Sequence, residues 1–408
     1  MKNLVFVSVL FIFYKFSLFS KDFVIGVIND SPNYYDFTHN NRIKRQKASV
    51  LNFIKNQLEK KYKKTNIVIK YLDYDNENLT TAAKTVESHI NKFKPDIIFG
   101  PFSFHSMYFL KDALEKSGVP FISYCYSSDL KSLKNHYTPF EWKDVLMKLS
   151  LDETKKLIGK ENPKVGAFVL VTDEHSKNSY EAAKKYLKTD IHTVKFIHSR
   201  SQEYWDYKNK LNKEIDKMLS YKPDIVINSN SIDLQEISTS IILEMLKKGY
   251  KGIFVDSGTW GCSKNALDEI KQSYKDVSGK AIGITVRQKK CFQDFGEDEK
   301  KFRNLLLDSE GRYYSSSGLF YKTVNHVLDA ILKSKLPINA KNINAIIKKN
   351  SYFEGFSNEK YNLFKTKDSP EFLNIYKYNF GKNFSVEKLP NPYVIEKYKK
   401  TVEKKGKL

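Results

Sequence analysis

The sequence is poor in the residue types that mark specialised chains. Its 408 residues include only 3 Cys, 17 Gly and 11 Pro, which excludes a disulfide-dense scaffold and a Gly- or Pro-rich low-complexity chain. After residue 20 no apolar run approaches the roughly 20 residues that span a bilayer. Hydrophobic residues make up 41% and aromatic residues 14% of the chain. This composition predicts a globular protein of about two or three domains with sizeable cores.

Arginine is also scarce, although the chain is strongly basic. The formal net charge is +22, from 69 Lys and Arg against 47 Asp and Glu, and only 6 of the 69 cations are Arg. The Lys residues are spread along almost every segment. Nucleic-acid surfaces instead cluster their cations and use Arg for bidentate phosphate contacts. The pattern therefore indicates solvated helix faces, no nucleic-acid partner, and a weak attraction to anionic surfaces.

Motifs of catalysis and metal binding are missing from the sequence. It contains no G-x-S-x-G elbow, phosphate-binding P-loop, G-x-G-x-x-G or H-E-x-x-H pattern. The Cys residues are isolated, and no two His lie four residues apart on a predicted helix, so no metal site is indicated. Asp73, Ser103 and His105 can be combined into a triad only by assumption. We therefore expect a protein that is not an enzyme and has no cofactor.

The first 20 residues have the pattern of an export signal. Lys2 precedes the mainly apolar stretch Leu4–Phe13, and the small residues Ser17 and Ser20 follow it. Charged, apolar and small-residue regions in this order are typical of a cleaved signal peptide. No Cys follows the apolar stretch, which argues against a lipid anchor. We expect residues 1–20 to be removed and the mature chain to be periplasmic.

The three cysteines allow two interpretations. An exported chain with Cys125, Cys262 and Cys291 can form one disulfide and keep one free thiol. Cys262 and Cys291 flank predicted strand ends and are the favoured pair. Three buried free thiols are the alternative, and the spacing alone leaves both open.

From Lys21 onward, short buried-type strands alternate with amphipathic helices. In the first part, strands are predicted near 23–29, 66–75 and 96–100, with helices at 42–62 and 79–93 between them. The segment Lys94–Ile98, with the sequence KPDII, recurs as KPDIV at Lys222–Val226 in a similar order of elements. Repeated β-α-β units imply parallel strands with right-handed crossovers. The fold class predicted is α/β, with two doubly wound parallel-sheet lobes.

Polar and aromatic residues follow the predicted strands. Ligands of open parallel sheets bind beyond the carboxyl ends of the strands, and hydrogen-bonding and stacking groups there suit a small polar or aromatic solute. The candidate ligand-binding residues are Tyr34, Ser103, His105, Cys125, Tyr126, Ser127, Asp173, His175, Asn230, Asp256 and Trp260.

The order of these segments resembles the type I periplasmic binding proteins of the branched-chain amino-acid (Leu/Ile/Val) type. The resemblance rests on FVIGVIND at 23–30, the Gly-Pro loop and Gly-Val-Pro strand within 94–130, and segments 164–188, 321–332 and 353–364. It implies two lobes joined by three hinge strands, with a ligand cleft between them. Lobe 1 is then expected to comprise 21–140 with 286–336, and lobe 2 141–285 with 337–389. A basic tail, 390–408, follows.

The resemblance also implies a site and a role. The position of the family's carboxylate-binding Ser is Phe104 here. The small residues of the next loop correspond to Cys125 and Ser127, and the acidic ammonium partner falls near Asp256–Gly258. The added bulk of Tyr124 and Tyr126 makes Leu, Ile or Val a less suitable ligand and favours either a planar or less polar solute or a degenerate pocket.

The implied role is that of an exported monomer that binds a small solute and delivers it to an ABC importer. Such a protein is peripheral to the membrane at most. The alternative is a ligand-sensing or scaffolding protein on the same fold that regulates a receptor or a cell-wall enzyme. A two-lobe glycosyltransferase is disfavoured by the export signal and the missing nucleotide loop.

Overall fold

The computed structural model describes most of the chain and divides it into two compact units. The described residues are 22–30, 37–63, 65–74, 79–125, 130, 132–139, 143–171, 173–187, 189–196, 204–230, 235–256, 264–273, 281–287, 297–306, 315–356, 360–363, 373–380 and 384–392. The first unit comprises Met1–Cys125, Asp129–Phe140 and Phe295–Thr366, and the second comprises Tyr126–Ser128, Glu141–Asp294 and Lys367–Leu408.

Helices and strands alternate along both units. The helices are α1 Phe37–Lys61, α2 Leu79–Phe93, α3 Phe104–Lys116, α4 Lys143–Ile158, α5 Glu174–Leu187, α6 Tyr204–Tyr221, α7 Gln235–Lys247, α8 Lys264–Ser273, α9 Glu297–Leu306, α10 Ser315–Lys333 and α11 Ala340–Lys349. The strands are β1 Phe23–Val27, β2 Ile67–Tyr71, β3 Ile97–Phe99, β4 Phe121–Ile122, β5 His136–Tyr137, β6 Val165–Leu170, β7 Ile191–Phe196, β8 Ile225–Asn228, β9 Ile253–Asp256, β10 Ile282–Arg287, β11 Tyr352–Glu354, β12 Lys360–Asn362, β13 Asn374–Asn379 and β14 Ser385–Leu389. Among the described residues, no helix is both long and apolar enough to cross a membrane.

The first unit is built on a five-stranded parallel sheet in the order β2-β1-β3-β4-β5. Both faces of this sheet are covered by helices, so strands such as β3 are apolar throughout and fully buried. The order reverses direction at β1, with β2 on one side and β3 on the other. In open parallel sheets such a reversal marks the usual place for a ligand.

The second unit is built on a seven-stranded mixed sheet in the order β14-β13-β10-β9-β8-β6-β7. The strands from β10 to β7 are parallel, whereas β13 pairs antiparallel with both β10 and β14. The predicted α/β class with two parallel sheets is therefore confirmed. The antiparallel pair β13–β14 extends the second sheet at one edge.

The expected lobe boundaries differ from the observed units near the C-terminus. We expected 337–389 to join lobe 2, but α11 and the β11–β12 hairpin belong to the first unit. Ile343, Ile347 and Phe353 are buried in the same core as Phe23 and Ile25 of β1. The boundary expected at 286 is also too early, because β10 lies wholly in the second sheet.

Candidate functional site

At the carboxyl edge of the first sheet, Asp30 fills the space in front of α3. It follows β1 directly and is only 2% exposed. Its Oδ1 accepts a hydrogen bond from the backbone N–H of Phe102 at 2.7 Å, and its Oδ2 accepts one from the N–H of Ser103 at 3.0 Å. These donors lie at the positive end of the α3 dipole, where a carboxylate is most stable.

A buried lysine lies behind this carboxylate. Lys47 of α1 is 3% exposed, its Nζ donates to the main-chain oxygen of Asp30 at 3.1 Å, and the same Nζ lies 3.4 Å from the centroid of the Phe102 ring. Burial lowers the pKa of the Lys47 amine to about 7, and the opposing attraction of Asp30 only partly offsets this. Lys47 therefore carries a partial charge at neutral pH.

Aromatic rings pack around the Gly100–Ser103 loop. Phe102 stacks on Tyr124, with centroids 4.9 Å apart, and contacts Phe320 edge-on at 5.2 Å. Burial raises the pKa of the Tyr124 hydroxyl, so this group stays protonated. The loop itself requires Gly100, because φ is +104° there and a Cβ would lie 2.5 Å from the main-chain oxygen of Ile28.

Next to Asp30 the first unit has a cavity of about 300 Å³. It is lined by Asn29, Asp30, Lys44, Tyr71, Leu72, Asp73 and Tyr74. These residues come from the carboxyl ends of the neighbouring strands β1 and β2 and from α1, so the cavity lies at the carboxyl edge of the sheet, on the β2 side of β1. Burial raises the pKa of the Tyr74 hydroxyl, and the Asp30 charge adds to this effect.

Cys125 is a buried structural thiol in this unit. It is fully buried and free, and its Sγ lies 3.7 Å from the main-chain oxygen of Pro101. Burial raises the pKa of the thiol well above its ordinary value, and the nearby Asp30 charge raises it further. Because the thiolate is the reactive form, this environment suits packing and not chemistry.

In the second unit, Asp256 is the centre of a buried hydroxyl network. Asp256 ends β9 and is fully buried. Its Oδ1 accepts from the Ser229 hydroxyl at 3.1 Å and its Oδ2 from the Thr285 hydroxyl at 2.8 Å. The Ser229 hydroxyl also lies 3.4 Å from His175 Nε2. The carboxyl ends of β8, β9 and the adjoining β10 thus share one set of hydrogen bonds.

Two further candidates support the ends of elements beside this network. Asp173 is buried and accepts from the N–H of His175 at 3.1 Å, which caps the start of α5. Asn230 is fully buried and donates through Nδ2 to the Ser238 hydroxyl at 2.9 Å. Its Oδ1 has no partner among the described residues, which leaves one acceptor free for another molecule.

Several predicted residues lie outside the described part of the chain. These are Tyr34, Tyr126, Ser127 and Trp260, and with them Cys262, Cys291 and the expected signal at 1–20. His105 lies in the first turn of α3, but its side chain is not described. The Cys262–Cys291 pairing and the solute contacts of these residues stay predictions.

Four residues that define the two sites are not among the candidates chosen from the sequence. Asp30 and Ser229 were recognised as residues that follow predicted strands but were not selected, and Lys47 and Thr285 were not considered. A signal for Lys47 was present, because it lies four residues before Leu51 and seven before Ile54 on the apolar face of α1. Across the described residues, no group of three or more His, Cys, Asp or Glu could hold a metal ion.

No family model matches the sequence, and no curated protein matches it. Several solved structures, in contrast, are similar to this chain in fold. The branched-chain amino-acid transporter substrate-binding protein LivJ from Streptococcus pneumoniae, in complex with isoleucine, has a TM-score of 0.59 and 14% identity over 90% of this chain and 99% of its own. A fatty-acid ABC transporter substrate-binding protein from Thermomonospora curvata has a TM-score of 0.61 and 11% identity, covering 91% and 92%.

A third similar structure is a solute-binding protein of an ABC transporter from R. palustris in complex with 4-hydroxybenzoate. It has a TM-score of 0.61 and 11% identity over 90% of this chain and 96% of its own. At such low identity the likeness establishes the fold and not the ligand. The resemblance inferred from the order of segments is confirmed at the level of structure: the chain has the two-lobe fold of the type I periplasmic binding proteins.

Proposed function

We propose that this chain is an exported solute-binding protein that closes two lobes on a small polar or aromatic solute and delivers it to an ABC importer. The observation that carries the proposal is the fold, shared over about nine-tenths of the chain with substrate-binding proteins of ABC transporters. The buried polar groups at the carboxyl edges of both sheets support it, because that is where ligands of parallel sheets bind. Residues 1–20 serve as the signal that directs the chain to the periplasm.

The solute works as a bridge in this proposal. A ligand that contacts both lobes binds the closed form better than the open form, so it shifts the population toward closure. The closed shape is then what the membrane partner recognises. The solute would thereby control delivery without any covalent step, and the protein would act as a monomer and not as an enzyme.

The described candidates divide into supporting and contacting groups according to whether their polar atoms already have hydrogen-bond partners within the unit. Cys125, Asp173 and Asp256 are buried with their hydrogen bonds used inside one unit, which favours a supporting role. We assign direct solute contact to Tyr34, His105, Tyr126, Ser127 and Trp260, and to the free Oδ1 of Asn230. The ring cluster around Phe102 and Tyr124 favours a solute with an aromatic or aliphatic part.

A thermal-shift screen of residues 21–408 tests the proposal. The panel comprises amino acids, aromatic acids, amines, amides, short peptides and nucleosides. A solute at 100 times its dissociation constant adds about 2.7 kcal/mol to the free energy of unfolding. We expect one chemical class to raise the melting temperature by several degrees, and Asn230→Ala to reduce that shift. A folded protein that responds to no class would contradict solute binding.

The second candidate function is ligand sensing or scaffolding at the membrane without transport. The net charge of +22 favours it, because a basic surface attracts anionic partners. Capture of a cell-wall enzyme or a receptor by a protein that binds no solute in the screen would support this alternative. Saturable uptake that depends on the chain would contradict it.

A further inference from the structure

The carboxyl edge of the first sheet contains an anion-binding position that the chain itself occupies. Paired backbone N–H groups at the start of a helix, beyond the ends of parallel strands, ordinarily bind an anionic ligand group. Here the N–H groups of Phe102 and Ser103 donate to the two carboxylate oxygens of Asp30, at 2.7 and 3.0 Å. Asp30 is 2% exposed. A solute carboxylate would have to displace this internal carboxylate.

The cavity beside Asp30 favours a cation, whereas the two backbone N–H groups favour an anion. Among the described residues that line it, two are carboxylates, Asp30 and Asp73, and one is an ammonium, Lys44. This excess of negative charge occurs in a chain whose overall charge is +22. Tyr71 and Tyr74 add two aromatic rings to the lining, and such rings attract cations.

The buried lysine does not reverse this preference. The Lys47 amine is directed to the main-chain oxygen of Asp30 and to the Phe102 ring, and Lys47 is not a lining residue of the cavity. Burial lowers the pKa of its amine to about 7. Above that pH it contributes little positive charge to the cavity.

We propose that Asp30 makes the first unit select a solute that presents an amine or another organic cation at this edge, and reject a solute that presents a carboxylate. The proposal rests on the solute-binding function proposed above and names its substrate class. It also separates this chain from neighbours of the same fold that were solved with carboxylates such as 4-hydroxybenzoate.

Matched ligand pairs test the proposal by isothermal titration calorimetry at pH 8. The pairs are benzylamine with benzoate, and isopentylamine with 4-methylpentanoate, which differ in the charged group. We expect the wild-type chain to bind the amine of at least one pair tenfold or more tightly than its acid. In Asp30→Ala the two N–H groups are freed, and we expect benzoate binding to increase at least tenfold. Asp22→Asn is the control, because it removes the same charge from an exposed residue of the same unit.

Asp73→Asn keeps the test decisive if the Asp30 variant does not fold. Asp73 is exposed and lines the cavity, so its amide variant should fold, and amine affinity should fall severalfold. Benzoate binding to the wild type as tightly as benzylamine, or no loss of amine affinity in Asp73→Asn, would overturn the proposal. If the wild type binds other solutes of the screen but neither amine, the solute-binding function stands and this selectivity is wrong. If the wild type binds no solute at all, the proposed solute-binding function is wrong. Benzoate binding gained in Asp30→Ala would then still show whether the N–H groups of Phe102 and Ser103 form an anion site that Asp30 fills.

Discussion

At the scale of single residues, Lys47 is the most unusual side chain of the first unit. Its pKa of about 7 in the folded protein lies below the ordinary value of 10.5 expected after unfolding. Between these two values the unfolded chain binds more protons than the folded one, so the free energy of unfolding rises with pH. We expect this rise to be on the order of a few kcal/mol from pH 7 to pH 10. In Lys47→Met the slope should be flatter, as measured by urea unfolding at pH 7, 8, 9 and 10.

Lys60→Met provides the matched control for this prediction. Lys60 is an exposed lysine of the same helix α1, and removing it should leave the pH slope unchanged. The wild type and the two variants share all other titrating groups, so the contributions of those groups cancel when the pH slopes of the free energy of unfolding are subtracted. If Lys47→Met keeps the slope of the wild type, the amine of Lys47 is charged in the folded protein.

The residues around Asp30 show what sequence reasoning reaches at this scale. The position of Asp30 after β1 followed from the strand pattern, whereas the spacing of Lys47 to Leu51 and Ile54, which puts it on the apolar face of α1, is a signal that the interpretation did not use. What the sequence could not supply was the pairing across 72 and 73 positions of chain from Asp30 to Phe102 and Ser103. Hydropathy also places a lysine in solvent, since lysines are almost never fully buried without a partner.

At the scale of elements, the repeated Lys-Pro-Asp segment adopts the same structure in both units. Lys94 and Lys222 are the two described non-glycine residues with positive φ, at 48° and 53°. The carboxylate that follows each accepts from a backbone N–H at the start of a strand, Asp96 from Val24 and Asp224 from Lys164, both at 2.9 Å. The internal repeat predicted from the sequence is thus present in the fold.

This shared turn predicts that a glycine is better than lysine at both positions. Both side chains are exposed, and left-handed backbone costs a non-glycine residue roughly 1 kcal/mol. Lys94→Gly and Lys222→Gly should therefore each raise the free energy of unfolding by about 0.5 kcal/mol, after the entropy of the more flexible unfolded chain is subtracted. Chemical denaturation of each variant measures this.

Lys92→Gly is the control for the two glycine variants. Lys92 is an exposed residue in the last turn of α2, where glycine should cost about 1 kcal/mol. If Lys94→Gly or Lys222→Gly lowers the free energy of unfolding by about as much as Lys92→Gly, the lysine side chain contributes more stability than the left-handed backbone costs.

The lobe assignment of α11 shows where element-level prediction stops. The spacing of Ile343, Ile346 and Ile347 predicts a helix with one apolar face, and that helix is present. The same pattern does not state which of two cores this face covers. That choice depends on contacts with residues some 300 positions earlier, such as Phe23 and Ile25, and on the return of β13 to the second sheet.

At the scale of the whole molecule, each unit contains its own hydrophobic core. Phe23, Phe99 and Ile343 belong to the core of the first unit, whereas Phe254 and Tyr378 belong to that of the second. Units with separate cores can unfold separately unless something links them. We therefore expect calorimetry of residues 21–408 without solute to show two transitions, or a van't Hoff enthalpy below the calorimetric one.

A solute that bridges the units should change this behaviour, because unfolding of either unit then releases it. At 100 times its dissociation constant the added stability of about 2.7 kcal/mol corresponds to roughly 5 to 10 °C for a unit of some 200 residues. Both transitions should move upward and merge into one. If only one transition moves, a single unit holds the solute, so the proposed closure of both lobes over the solute is wrong, although solute binding stands. Smaller shifts of both transitions in Asp73→Asn than in the wild type, at the same solute concentration, would place the linkage at the Asp30 cavity, because Asp73 contributes to its lining.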